Sequence, residues 1–391
     1  MSGSVMLYVQ HLLGVGHLKR GALLARGMAA AGLDVSVVLG GREVPGIDLG
    51  GCARVLLPPV HVAGADFAAL LDDDGAPIDD AWRDRRAARL LFEYEALSPD
   101  VLIIELFPFG RRMFSFELLP LLSRARARGQ PPHILCSLRD ILVHKPDAER
   151  NRRIVALAAG SFDGILVHGD PALLPIEASF PEIETLRSKI TYTGYVVEDV
   201  PEVHPRARSP IGEGEVVVSV GGGAVGLPLL RVAIEARPLS RLADRVWRLI
   251  AGPNLPDAEY ADLAWSAPPG IVVERWRSDL PAVLRACAVS VSQAGYNTVM
   301  DLLSAGTRAV LVPFADGGET EQTLRTRILA GRGRVIGLDP AELSPKNLAD
   351  AVDRALTLPA VSVDIDRSGV ETTARLVMDL CRRAGNEIAG E

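Results

Sequence analysis

Short runs of apolar and β-branched residues alternate along most of the chain with stretches whose apolar positions recur every three or four residues. The runs fall at Val5–Gln10, Val35–Leu39, Val101–Ile104, Ile134–Ser137 and Ile165–Val167, and again at Val216–Val220, Arg248–Ala251, Ile271–Val273, Val289–Ser292 and Ala309–Val312. Each has the length of a strand and lacks polar alternation, as expected of strands covered on both faces. The pattern therefore predicts an α/β protein of βαβ units wound around parallel sheets.

The series breaks near residues 198–214, where Glu198–Pro205 and Ser209–Gly214 combine proline, glycine and charge without periodicity. That composition predicts a linker between two doubly wound domains. A length of 391 residues suits two domains. We expect an N-terminal domain at 1–200, a C-terminal domain at 201–365, and a final segment, 366–391, that packs on the rest of the protein. In that segment Val370, Ala374, Val377, Met378 and Cys381 are spaced for one helical face. Asp72–Asp80, rich in Asp, Gly and Pro, is expected to be a loop within the first domain.

Composition narrows the function classes. The net charge is −7, which argues against general nucleic-acid binding, since phosphate neutralisation needs a concentrated basic face. The four cysteines, Cys52, Cys136, Cys287 and Cys381, form no CxxC pair and are expected to be free thiols in a reducing compartment. No run approaches the roughly 18–20 apolar residues of a membrane span, and the N-terminus lacks a signal-peptide layout, so a cytoplasmic protein is expected.

Candidate chemistry gathers where strands meet helices. The first strand leads into Gly14-Val15-Gly16-His17 and then Arg20, at the start of a helix striped by Leu18, Ala22, Ala25, Met28 and Ala29. Glycines there permit a tight turn and leave helix amides facing a polar or anionic ligand. The third glycine of a dinucleotide fingerprint is missing, as is an acid about twenty positions on, which sets a nicotinamide dehydrogenase aside. His17 stands in the helix's first turn with Arg20 at i+3. The helix dipole disfavours its protonation, so it could accept a proton from a hydroxyl; the plainer reading is a histidine that only caps the turn.

The second half opens similarly, with Gly221-Gly222-Gly223 after an apolar strand, where backbone amides could approach a diphosphate. After strand Val289–Ser292 a helix is opened by Gly295 and closed by Gly306. Its N-terminus, with Asn297 and Thr298, suits a phosphate, and the Asp301 carboxylate one turn in suits a ribose diol. The loop after the next strand carries Glu321 and Gln322, which could hold sugar hydroxyls or be ordinary solvated surface.

Ser292–Asp301, Gly306, Pro313 and Gln322 resemble the C-terminal domain of family-28-type glycosyltransferases, a group that includes the peptidoglycan lipid-intermediate N-acetylglucosaminyltransferase. The whole chain is most similar to bacterial predicted glycosyltransferases of unassigned acceptor, through Phe107–Arg112, Ser137–Asp140, Gly169-Asp170-Pro171 and Thr193-Gly194-Tyr195. The resemblance implies a GT-B fold: two Rossmann-like domains facing across a cleft, the donor held by the second, and a final helix within 366–391 packing back on the first. It implies that Asp301 binds ribose, Gly295 and Thr298 the diphosphate, Glu321 and Gln322 the donor sugar, and Arg275 and Trp276 the base. His17 would be the general base, with no cofactor and no metal. The family's usual Arg-Ala-Gly is Gln293-Ala294-Gly295 here, one cation fewer beside the phosphates.

On the acceptor side, Glu105, Arg111 and Arg112 follow strand Val101–Ile104, at the end where α/β proteins bind ligands. The arginines could hold an anionic acceptor such as a lipid phosphate or uronic acid. With Phe114, Phe116, Leu118, Leu119, Arg124, Arg126 and Arg128 they could also form a membrane-surface patch over residues 107–128, peripheral to the inner face of the membrane. The plainer reading makes these aromatics and leucines core and the arginines a solvated face. Arg139, Asp140, His168 and Asp170 end later strands and are further candidates.

The expected activity is transfer of a hexosyl unit from a nucleoside-diphosphate sugar, UDP-linked by preference, to a hydroxyl of a saccharide, lipid-linked sugar or small metabolite, with inversion. The Gly-x-Gly-His-x-x-Arg turn also resembles a sugar-nucleotide hydrolase, in which water is the acceptor. A 2-epimerase fits less well, because its Asp-Ser-Gly-Gly and Glu-Glu signatures are absent, and a nucleotide-sugar sensor is a third, non-catalytic reading.

Overall fold

The computed structural model describes residues 3–12, 16–44, 46–62, 69–142, 147–197, 211–222, 225–277, 279–315, 320–359 and 365–389, with side chains to Arg383. The chain divides into two compact units, Met1–Glu198 with Asp366–Glu391, and Asp199–Ile365. Most of the proposed linker, at 198–210, lies outside the described residues.

The first unit is built on strands β1 (Ser4–Val9), β2 (Asp34–Leu39), β3 (Ala53–Leu56), β6 (Val101–Glu105), β7 (His133–Arg139), β8 (Gly164–His168) and β9 (Ile190–Tyr192). They form one sheet in the order β3-β2-β1-β6-β7-β8-β9, and every pairing in it is parallel. A small antiparallel pair, β4 (His61–Val62) with β5 (Leu70–Leu71), stands apart from it.

Successive residues on a strand point to opposite faces, and both faces of this sheet are apolar. Met6, Tyr8, Leu102 and Ile104 face a core shared with helices α2 (Asp80–Leu97), α3 (Ser115–Arg126) and α4 (Ala148–Ser161). Val5, Leu7, Val9, Val101 and Ile103 face the other core, with Leu18, Ala22, Ala25 and Met28 of α1 (Gly16–Ala30). The last helix, α11 (Gly369–Ala389), buries Ala374 and Val377 in that second core. A Cβ on Gly27 would lie 2.2 Å from Val370 Cγ1, so α1 and α11 approach as closely as they do because position 27 carries no side chain.

The second unit repeats the plan. Strands β10 (Val216–Ser219), β11 (Trp247–Ile250), β12 (Ile271–Glu274), β13 (Val289–Ser292), β14 (Ala309–Leu311) and β15 (Ile336–Gly337) lie in the order β12-β11-β10-β13-β14-β15. Helices α5 (Leu227–Ala236), α6 (Asp257–Trp265), α7 (Leu280–Ala286), α8 (Tyr296–Ala305), α9 (Glu321–Gly331) and α10 (Pro345–Ala355) complete it. The strand order is that of the Rossmann fold, in which ligands bind where the winding reverses, outside the carboxyl ends of the two central strands. The reversal falls between β1 and β6 in the first unit and between β10 and β13 in the second.

Each run expected to be a strand is one, with ends shifted by a residue or two. Strands β3, β9 and β15 were not anticipated. All three are short and partly exposed, and each stands at a sheet edge beside only one neighbour, so they lack the continuous apolar signal of a buried strand.

Candidate active site

At the switch point of the first unit, the first turn of α1 meets the end of β6. Nδ1 of His17 lies 2.6 Å from Oε1 of Glu105, and the same oxygen accepts a hydrogen bond from Nη2 of Arg20. Glu105 is 2% exposed at its side chain and Arg20 5%, while the His17 ring keeps 15%. Sequence reasoning placed Glu105 with the acceptor and His17 with the base, and the parallel pairing of β1 and β6 brings the two together.

A contact of 2.6 Å between a ring nitrogen and a carboxylate oxygen requires a proton on that nitrogen. Burial lowers the His17 pKa to about 4, outweighing the pull of Glu105, with Arg111 and Arg20 adding to the fall. Burial alone would raise Glu105, but His17 and Arg20 hold it at about 2. At neutral pH the pair is thus a carboxylate and a neutral imidazole with its proton on Nδ1, and Nε2 carries the free lone pair. Arg20 Nη2, 3.2 Å from Nδ1, is then a neighbouring donor whose bond goes to Glu105. The sequence argument credited the helix dipole for a neutral His17; the structure adds burial as a cause.

The loop that follows β6 is strained. Leu106 and Arg111 both take left-handed backbone conformations, at φ 67° and 55°. For residues with a Cβ this costs energy and collects at functional sites. Arg111 donates from Nε to the Gln10 carbonyl at 2.8 Å, and Arg139, at the end of β7, is felt by it as a like charge.

The remaining acceptor-side candidates need correction. His168 is buried with both ring nitrogens engaged, Nε2 with Ser137 Oγ at 2.9 Å and Nδ1 with Thr193 Oγ1 at 2.8 Å, so it ties β7 to the Thr193 loop and does not face a ligand. Burial lowers its pKa to about 3. Asp170 accepts from the amides of Ala172 and Asp366, anchoring the chain as it enters α11. Asp140 is buried against Gly169. Within 107–128, Phe107, Phe114, Leu118, Leu121 and Leu122 are core and Phe116 packs partly against it, as the plainer reading expected, while Leu119 is 41% exposed. Arg124 pairs with Glu95, Arg126 bonds Asp163 and the Ser161 carbonyl, and Arg128 bonds the Pro99 carbonyl.

Beneath this site is a buried ionic cluster that sequence reasoning missed. Arg86, fully buried on α2, donates from Nε to Glu117 Oε2 at 2.7 Å and from Nη2 to Gln10 Oε1 at 2.6 Å. Tyr8 Oη donates to Glu117, and Arg86 also reaches the Gly40 carbonyl at 2.9 Å. Gln10 thereby links this cluster to Arg111.

At the switch point of the second unit, Gly221 and Gly222 follow β10, and Gln293 N donates to Ser219 O between the paired strands β13 and β10.

 That amide-to-carbonyl contact measures 3.3 Å and ties the end of β13 to the end of β10. Gly221 is left-handed at φ 58°, and the Gly222 carbonyl accepts from Asn254 N at 2.9 Å. Gly14 and Gly223 lie outside the described residues, and Gly16 is the first residue of α1. Gly295 is the N-cap of α8 and offers no side chain to its first amides, which leaves that end suited to an anion. Asn297 is exposed, Thr298 and Asp301 are half-buried, and all three lie on α8.

Glu321 and Gln322 open α9, not a solvated loop. Gln322 Oε1 accepts from Ala294 N at 2.9 Å and Phe314 N at 3.1 Å, bracing the turns after β13 and β14. Glu321 pairs with Arg325 at 2.9 Å, and Arg325 donates to the Ala294 carbonyl at 2.8 Å. Arg325 is a buried cation under the α8 turn that sequence reasoning did not single out; its one signal was the i, i+4 spacing from Glu321. Arg275 bonds the Leu255 carbonyl, pairs with Asp257 and lies 4.3 Å from the Tyr260 ring centroid, whereas Trp276 is 66% exposed. Among the described residues no group of three or more His, Cys, Asp or Glu is placed to hold a metal, and no helix is long and apolar enough to cross a membrane.

Residues 217–362 match the glycosyltransferase family 28 C-terminal domain. An uncharacterized glycosyltransferase of Methanopyrus kandleri is 26% identical over half of this chain and 55% of its own length. A UDP-N-acetylglucosamine--N-acetylmuramyl-(pentapeptide) pyrophosphoryl-undecaprenol N-acetylglucosamine transferase of Methylibium petroleiphilum is 31% identical over 42% of this chain and 44% of its own length. The chain thus spans about half the length of the curated relatives it matches. Among solved structures, a glycotransferase of kitacinnamycin superposes with a TM-score of 0.63 at 19% identity, covering 100% of this chain and 99% of that one. MurG of Acinetobacter baumannii gives 0.60 at 15%, covering 97% and 99%. The fold is therefore GT-B, with two Rossmann-like α/β domains, as the strand pattern and the resemblance implied. The chain is similar to family-28 glycosyltransferases through residues 217–362, which fall in its second unit.

Proposed function

We propose that this protein transfers a hexosyl unit from a nucleoside-diphosphate sugar, UDP-linked by preference, to a hydroxyl of a saccharide, lipid-linked sugar or small metabolite, with inversion and without a metal ion. The observation that carries the proposal is the 2.6 Å contact of His17 Nδ1 with Glu105, which directs the free lone pair of His17 to Nε2. A base at about 4 is weak, so Nε2 takes the hydroxyl proton late, as the new glycosidic bond forms and the acceptor oxygen grows acidic. Glu105 keeps the tautomer and stabilises the imidazolium as it forms, the role of a carboxylate behind a histidine base.

The second unit is assigned the donor. The uncapped start of α8 and the Gly221-Gly222 turn offer amides to the departing diphosphate, Asp301 takes the ribose diol, and Trp276 offers a flat face to the base. The family match and the relatives named as UDP-N-acetylglucosamine-dependent transferases support a UDP-sugar. The four free cysteines fit a reducing compartment, and we place the protein in the cytoplasm.

Nuclear magnetic resonance of the product tests the displacement: an anomeric configuration opposite to the donor's is expected, with rates unchanged by EDTA. A retained configuration contradicts direct displacement, and sugar released to water at the full rate assigns hydrolysis instead.

A further inference from the structure

The strained loop after β6 also floors a cavity of about 490 Å³, a size that suits a small ligand. Phe107 and Arg112 line it from the loop, and Arg150, Arg153, Ile154 and Leu157 from α4. Arg150 and Arg153 are three residues apart on one helical face, with Ile154 and Leu157 a turn further on. The lining is thus graded along α4, cationic at the helix start and apolar beyond it.

The arginines are poorly neutralised. Asp147, also in the lining, is the N-cap of α4 and accepts from Arg150 N at 2.9 Å, so its carboxylate is committed to the helix end. Glu149 approaches Arg153 only to 3.7 Å, with both side chains 72% exposed, where an ion pair contributes little. Partial burial pushes the Arg112 pKa down, and the like charges of Arg150 and Arg153 push it further, against Asp147. An oxyanion seated among the three guanidinium groups would relieve that crowding, and guanidinium matches phosphate and carboxylate in geometry.

We propose that this cavity binds a phosphate- or carboxylate-bearing ligand with an apolar body, the anionic head on Arg112, Arg150 and Arg153 and the body on Phe107, Ile154 and Leu157. Resting on the glycosyl-transfer reading, the ligand is the acceptor: the loop joining Glu105 to Arg112 connects the base to this subsite, so the cavity selects acceptors by charge.

The test is direct binding to the full chain, with no turnover required. Phenyl phosphate, benzoate and phenol are titrated by calorimetry into wild type, R150Q/R153Q and R112Q. The proposal expects wild type to bind phenyl phosphate or benzoate at least tenfold more tightly than phenol, with affinity falling as salt rises. Whichever anion binds more tightly identifies the head group. R150Q/R153Q should lose at least tenfold with an unchanged melting midpoint, since Arg153 is solvent-exposed, and R112Q should lose in the same direction. Equal binding of phenol, or anion binding unaffected by either variant, overturns it. So does loss of sedimentation with phosphatidylglycerol vesicles in R150Q/R153Q while phenyl phosphate binding stays intact, which would make the arginines a lipid-facing surface. If no nucleotide sugar is turned over but arginine-dependent anion binding persists, the transfer reading fails and the subsite stands; transfer without such binding gives the reverse.

Discussion

Nδ1 of His17 and Oε1 of Glu105 stand 2.6 Å apart although 88 positions separate them in the chain. Their meeting follows from topology. The helix after β1 and the end of β6 flank the point where the sheet's winding reverses, and side chains from both converge there. The contact decides which ring nitrogen is available, and the first two predictions depend on it.

Replacing His17 with Ala or Gln should lower kcat by roughly 10²–10⁴-fold, the usual worth of a general base, while leaving donor affinity within a few-fold. Steady-state kinetics and donor titration check this; an unchanged kcat removes His17 as base.

Replacing Glu105 with Ala removes the group that raises the His17 pKa, so that pKa should fall below its present value of about 4. Arg20→Met removes a charge that lowers it and should raise it. Nitrogen-15 chemical shifts of the imidazole across pH report both, and the Nδ1–H tautomer expected in wild type should be lost in the Glu105 variant. An unperturbed His17 in both would contradict the pairing.

The pH dependence of stability has a definite sign. His17 titrates near 4 in the folded chain against an ordinary value of 6.5, so as pH falls from 6.5 towards 4 the unfolded chain binds the extra proton and stability declines. The shift corresponds to about 3 kcal/mol. His168, at about 3, acts in the same direction, and Glu105, at about 2, adds a loss as pH falls from 4.5 towards 2. Denaturation midpoints from pH 7 to 4 should therefore fall, and less steeply in the His17→Gln variant. A flat profile contradicts the burial of these groups.

Arg86→Met should cost about 3–5 kcal/mol, because it leaves the Glu117 carboxylate buried without its cation. Both side chains are 0% exposed. Urea denaturation measures the loss, and the double variant with Glu117→Gln should be less unstable than the two single losses added together. Additive losses would mean that the two do not interact.

Asp301→Ala should weaken UDP binding about tenfold and abolish any preference for UDP over 2′-deoxy-UDP, since a carboxylate on the ribose diol recognises the 2′-hydroxyl. Calorimetry with the two nucleotides checks this; a preference retained in the variant moves the ribose contact elsewhere.

The central strands were legible because they are buried on both faces and read as unbroken apolar runs. β3, β9 and β15 each end a sheet, and ARVL, ITY and IG carry no such run. His17, Arg20 and Glu105 were each picked out by position at a strand end, but their pairing was not, since spacing along the chain does not encode which strands lie side by side. Arg86 was missed for a related reason: among the arginines of α2 nothing local marks the one that turns inward to Glu117. Gln322 was found by resemblance, and the structure shows it bracing two turns through Ala294 and Phe314.

The central claim is transfer from a nucleoside-diphosphate sugar with His17 as base. Its most direct test is UDP release from UDP-hexoses by wild type and by His17→Ala, with and without a panel of hydroxyl acceptors that includes anionic ones with apolar bodies. Release that depends on acceptor in wild type and is lost in His17→Ala is the predicted result. Release at the same rate without acceptor, or equal release by the variant, would contradict it.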